Sequence, residues 1–126
     1  MRCSMCDRTE RPCAYTQRTR SIYRILIRAI RYRAERCGYA IAQHGSLKTD
    51  IDLVAIPWRE GAIDAAYLAE QIRLTVEQIV GFAFSPSGDA EPVRKPHGRL
   101  GWAFYLQPLD VPGPYIDLSV MPRAND

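Results

Sequence analysis

The run Asp50-Ile51-Asp52-Leu53-Val54-Ala55-Ile56, closed by Pro57, constrains the fold of this chain more than any other segment. It is rich in aliphatic residues and, beyond its first three positions, apolar at odd and even places alike. A strand of that kind is expected at the centre of a sheet, covered on both faces. Pro57 lacks the N–H that would continue a ladder, so the strand should stop there. Its two acids fall at the mouth, before the apolar run begins. Two residues apart on a strand, Asp50 and Asp52 leave the same face, about 7 Å from one another along the chain.

The segments around this strand are of helical and strand type. Ile22, Ile25, Leu26, Ala29, Ile30 and Ala34 recur at three-and-four spacing, which predicts an amphipathic helix capped at Thr19 or Ser21 and stopped by Gly38. Residues 39–44 follow as a short strand, then the turn Gly45-Ser46-Leu47-Lys48-Thr49. Residues 62–80 predict a second helix, with Asp64 as N-cap, Gly81 past its end, and a stripe of Ala65, Leu68, Ile72, Val76 and Ile79. A Pro/Gly-rich loop over 85–98 leads into strands over 99–106 and 115–121, joined by a turn over 107–114. The element order predicts an α+β fold, a mixed sheet of four to five strands with two main helices packed on one face.

At 126 residues the chain is one domain's worth of material. Residues 1–17 are polar and aperiodic and are expected to be a flexible tail before a domain over 18–126. Cys3-x-x-Cys6 has the spacing of half a zinc knuckle, with Cys13 or Cys37 as conceivable further ligands, but no second Cys-x-x-Cys completes it. No apolar run reaches the ~20 residues of a membrane span, and the first residues lack the apolar stretch of a secretory signal. Both point to a cytoplasmic protein with no membrane partner. The formal charge of +3 is too small to prove a nucleic-acid partner. Its distribution says more: Arg20, Arg24, Arg28 and Arg31 fall nearly in line on the first helix, with Glu35 as their one carboxylate neighbour. Like charges four apart mildly destabilise a helix, so this line is either a solvated face or a contact for RNA, DNA or an acidic protein.

The chemistry concentrates around the two acids. Adjacent carboxylates repel, and such a pair usually has a cation to hold. All-oxygen ligands suit Mg²⁺ or Mn²⁺. Just upstream, Gly45-Ser46 offers backbone N–H groups and a hydroxyl that can cradle a phosphate. In Tyr115-Ile116-Asp117-Leu118-Ser119, Asp117 points away from Ile116 and Leu118. If this strand neighbours the 50–56 strand, Asp117 completes a three-carboxylate cluster. Arg94-Lys95-Pro96-His97-Gly98-Arg99 gathers three cations and an imidazole that could clamp a triphosphate or a nucleic-acid backbone, or be solvated. His44 beside the Gly-Ser turn, and Trp58 and Trp102, fit structural roles better than catalysis or base stacking.

Gly45-Ser46, Asp50-Ile51-Asp52-Leu53 and a later strand acid resemble the nucleotidyltransferase superfamily with the DNA polymerase beta-like fold. The resemblance implies that Gly45 and Ser46 meet the phosphates of an NTP; Lys48 and the loop residues Arg94, Lys95, His97 and Arg99 are candidate phosphate contacts beside them. It implies that Asp50 and Asp52 bind two divalent metal ions and that Asp117 is the third carboxylate, positioning or activating the attacking hydroxyl. Only Leu47-Lys48-Thr49 separate Gly-Ser from the first acid, fewer residues than in most of the family. The implied activity is metal-dependent transfer of an NMP from an NTP to a hydroxyl on RNA, protein or a small molecule. The alternative is a catalytically inactive protein of the same fold, an inhibitor or antitoxin that docks through its arginine helix. In size the chain is like small accessory proteins of phage or toxin–antitoxin systems.

Overall fold

A computed structural model of the chain describes residues 13–86, 92–124 and 126. Its elements are α1 (Ala14–Arg36), β1 (Tyr39–His44), β2 (Asp50–Pro57), α2 (Ala65–Val80), β3 (Val93–Arg94), a 3-10 turn (Pro96–Gly98), β4 (Leu100–Tyr105) and β5 (Tyr115–Val120). The strands form one five-stranded sheet in the order β1-β2-β5-β4-β3. β2 and β5 run parallel and the other neighbours antiparallel, so the sheet is mixed and the class α+β.

Period-two alternation builds the core. Ile51, Leu53 and Ala55 on β2 and Ile116, Leu118 and Val120 on β5 are each at most 1% exposed. They form one cluster with Leu26 and Ile30 of α1 and Leu68 and Ile72 of α2. Both helices therefore cover the same face. The expectation of a doubly covered β2 does not hold: Val54 is half-buried and Ile56 is 42% exposed, because neither helix lies over the second face.

Local signals explain both helices in part. Asp64 accepts from the Tyr67 amide at 2.8 Å, and Gly81 closes α2 at φ 89°, a left-handed position that glycine takes without strain. The buried line of α2 runs Leu68, Ile72, Val76 with Ala69, which leaves Ile79 a step to the solvent side at 42% exposure. α1 starts at Ala14, ahead of Thr19 and Ser21, so residues 14–17 form its first turn. Its buried side is Thr16, Thr19, Leu26, Ile27, Ile30 and Ala34, and Ile25 is 61% exposed instead of joining the stripe. Thr16 and Thr19 are buried where α1 meets the turn between β1 and β2: their hydroxyls lie 3.5 and 3.3 Å from the Lys48 carbonyl, and that of Thr19 has its shorter bond, 3.0 Å, to the Tyr15 carbonyl.

At the other end of α1, Gly38 has φ 95°, and a Cβ there would lie 2.7 Å from the Ala62 Cα. Arg59 caps the last turn of α1 by donating to the Glu35 and Arg36 carbonyls. Cys37 is a free, buried thiol within the core. Cys3 and Cys6, and with them the half-knuckle and most of the expected tail, lie outside the described residues. Among the described residues no helix is long and apolar enough to cross a membrane.

Candidate functional site

The face of the sheet opposite the helices carries the charged chemistry. In the parallel register of β2 and β5, Asp50 lies beside Tyr115, Asp52 beside Asp117 and Val54 beside Ser119. On the outer side of β2, His44 of β1 pairs with Asp52. On the far side of β5, Ala103 of β4 pairs with Asp117 and Gly101 with Ser119. A row His44, Asp52, Asp117, Ala103 thus crosses four strands, with Asp50 one pleat away on the same face. Asp52 and Asp117, distant in sequence, are lateral neighbours.

Two of the three carboxylates, Asp117 and Asp50, have partners within the protein. Lys95 donates from Nζ to Asp117 Oδ1 at 3.2 Å. The Tyr115 hydroxyl shares a hydrogen bond with Asp50, and burial together with Asp50 and Asp117 pushes its pKa up to about 12. Tyr115 also stacks on Tyr105, ring centroids 5.0 Å apart. Burial, followed by the charges of Asp50 and Asp117, raises the Asp52 carboxyl above its ordinary value, against a smaller opposing pull from His44 and Lys95.

The Gly-Ser turn abuts this row. Gly45 has φ 81°, and a Cβ added there would lie 2.7 Å from Asp52 Oδ2. The left-handed turn geometry therefore favours glycine at this position, and a Cβ there would also press on the Asp52 carboxylate. Leu47 is also left-handed, at φ 57°. Ser46 and the Lys48 side chain are exposed, while the Lys48 carbonyl is held by α1. Tyr15, in the first turn of α1, is near enough to Asp50 for that carboxylate to help raise its pKa, after burial as the main cause. No apolar periodicity marks Tyr15 or Thr16, so the amino-acid pattern alone places both in the tail.

The basic loop divides. Lys95 joins the carboxylates, and Arg99 donates to the Ser119 hydroxyl at 3.4 Å and to the Pro96 carbonyl at 3.0 Å. Arg94 pairs with Leu100, whose partner Val120 belongs to the core, so Arg94 stands on the other side of the sheet edge. His97 is exposed in a left-handed turn at φ 69°. The expected clamp of four groups is thus reduced to Lys95 and Arg99. Trp102 is 7% exposed and belongs to the core, whereas Trp58 is 57% exposed with Arg59 over its ring.

Three carboxylates on one face are the right donors for a hard divalent cation. Their arrangement is not a finished cage: among the described residues no group of three or more His, Cys, Asp or Glu is placed to hold a metal ion. Lys95 occupies Asp117 and Tyr115 occupies Asp50. What fits is an ion held by one or two carboxylates and completed by substrate phosphates, the usual habit of Mg²⁺.

Arg20, Arg24, Arg28 and Arg31 line one side of α1, and among the described residues none joins an ion pair. Arg31 donates from Nε to the Ile41 carbonyl at 3.4 Å, on the edge strand β1, and Arg24 and Arg28 are exposed. Compared with known proteins, the chain matches no family model, no curated protein and no solved structure.

Proposed function

We propose that the open face of the sheet binds a nucleoside triphosphate with Mg²⁺ or Mn²⁺, and that the protein is a nucleotidyltransferase-like enzyme moving an NMP to a hydroxyl of RNA, protein or a small molecule. The observation that carries this is the lateral pairing of Asp52 with Asp117, with Asp50 on the same face and Gly45 packed against the Asp52 carboxylate. Asp50 and Asp52 would hold the cation, which when bound would neutralise charge on the phosphates. Gly45 and Ser46 would offer an amide and a hydroxyl to phosphate oxygens. Asp117 would orient the attacking hydroxyl and take its proton as the bond to the α-phosphorus forms and pyrophosphate leaves.

Thermal shift and product labelling test this together. Mn²⁺ should raise the melting temperature and ATP should raise it further, since ligands of the native state alone stabilise it by mass action. Asp52→Asn should abolish the metal effect while staying folded, and labelled NTP should mark an acceptor only with the original protein. A flat melting temperature and no labelled product would overturn the proposal.

The arginine line of α1 favours a second reading, a catalytically inactive binding protein that docks on RNA, DNA or an acidic protein. Four guanidinium groups that join no ion pair among the described residues mildly destabilise a helix and are a ready contact for a polyanion. This reading expects no metal or NTP shift and full partner binding by Asp52→Asn.

A further inference from the structure

We propose that Lys95 is a resident cation of the carboxylate site: its ammonium fills, at Asp117, the place a second metal ion would take, so the cluster accepts one divalent cation and not two. This rests on the metal-binding part of the function proposed above. Asp50, Asp52 and Asp117 gather three negative charges on one sheet face, and Lys95 is the cation hydrogen-bonded to one of them.

The route Lys95 takes is built for this contact. Its amide donates to the Arg99 carbonyl at 2.9 Å, which fixes its backbone at the tight turn between β3 and β4. From there the side chain must cross β4 to reach Asp117 on β5. It crosses over Gly101: a Cβ at that position would lie 2.5 Å from Lys95 Cε, 3.2 Å from Nζ and 3.3 Å from Cδ. The three nearest atoms to that Cβ all belong to Lys95, so the missing side chain of Gly101 is the lane in which Lys95 lies. Farther along β4, Ala103 beside Asp117 is also small. The Lys95 and Asp117 side chains are both half-buried, at 26% and 33% exposure, with the ammonium seated directly on the carboxylate. Mg²⁺ and Mn²⁺ need several oxygens around them, and a carboxylate already held by an ammonium is a poor donor.

Manganese stoichiometry on the full-length chain tests the proposal with a readout that a purely structural ion pair would not move. Free Mn²⁺ is followed by its paramagnetic resonance signal in titrations with a non-hydrolysable ATP analogue, for the original protein and for Lys95→Ala, Gly101→Ala and Lys95→Arg. Lys95→Ala and Gly101→Ala should each bind one more Mn²⁺ per chain than the original protein, and Lys95→Arg should bind the same number. Gly101→Ala displaces only the flexible end of Lys95, so it carries the test if Lys95→Ala fails to fold. Equal, non-zero stoichiometry in all four forms would overturn the role of Lys95 and leave the metal site standing. No Mn²⁺ bound by any form would overturn the metal site, and the role of Lys95 with it.

Discussion

The two faces of β2 and β5 are made by the same strands in alternation, yet they answer to different physics. On the covered face, Ile51, Leu53, Ile116 and Leu118 have lost nearly all contact with solvent, and their contribution grows with apolar area removed from water. On the open face, burial of Asp52, and after it the like charges of Asp50 and Asp117, raise its carboxyl above the ordinary value and oppose folding. Alternation lets one strand pair hold the domain together and carry a destabilising cluster at once. Substitutions one residue apart should therefore move stability in opposite directions.

The largest effect is expected on the covered face. Ile116→Ala, at a fully buried position, should lower unfolding free energy by about 2–5 kcal/mol, read from urea denaturation. A loss below about 1 kcal/mol would mean that the two helices and the sheet do not share one core. Next is the boundary between the faces. Gly45→Ala places a Cβ against the Asp52 carboxylate and forces a side chain into positive φ, and should cost about 1–3 kcal/mol. Full stability in that variant would show that the turn can move away from Asp52, and that the phosphate cradle is not fixed.

On the open face the sign reverses. The folded protein holds the Asp52 proton more tightly than the unfolded chain does, so the stability from this group is lost as pH rises from the ordinary carboxylate value through the raised one. Asp52→Asn should then be more stable than the original protein at neutral pH, with the gain shrinking in acid. Melting temperatures at several pH values decide it; a less stable variant at neutral pH would mean that Asp52 is held by favourable contacts outweighing the crowding.

The smallest effect belongs to the contrast between the two helices. On α2, Arg73 bridges Glu70 and Glu77 at 2.7 and 3.4 Å, whereas the arginine line of α1 has no such partners among the described residues. Replacing Arg20, Arg24, Arg28 and Arg31 by Gln should change stability by about 0.5 kcal/mol or less, while weakening binding to a polyanion and flattening its salt dependence. Unchanged binding with an unchanged salt slope would make this face a solvated one.

Features that depend only on near neighbours along the chain are legible in the amino-acid order. The strand over 50–56, the Asp64 cap, the Gly81 stop and the placement of Asp117 opposite Ile116 and Leu118 all follow from local periodicity and cap chemistry. Periodicity misleads where two faces satisfy it. Ile25 fits three-and-four spacing, yet α1 is turned so that Thr16 and Thr19 face the 45–49 turn, and threonines count for nothing in an apolar stripe.

By itself the sequence determined four of the five strands, the second helix and the sidedness of each acid, because backbone pleat and helical turn are set within a few residues; β3, two residues long, lies inside the stretch that reads as a loop. Only the tertiary structure decided that β5 inserts beside β2, that Val54 and Ile56 stay uncovered, and that Lys95 crosses Gly101 to Asp117. Those contacts join residues far apart in the chain. They are chosen by which buried surfaces fit together, a property of the assembled core that no local window contains.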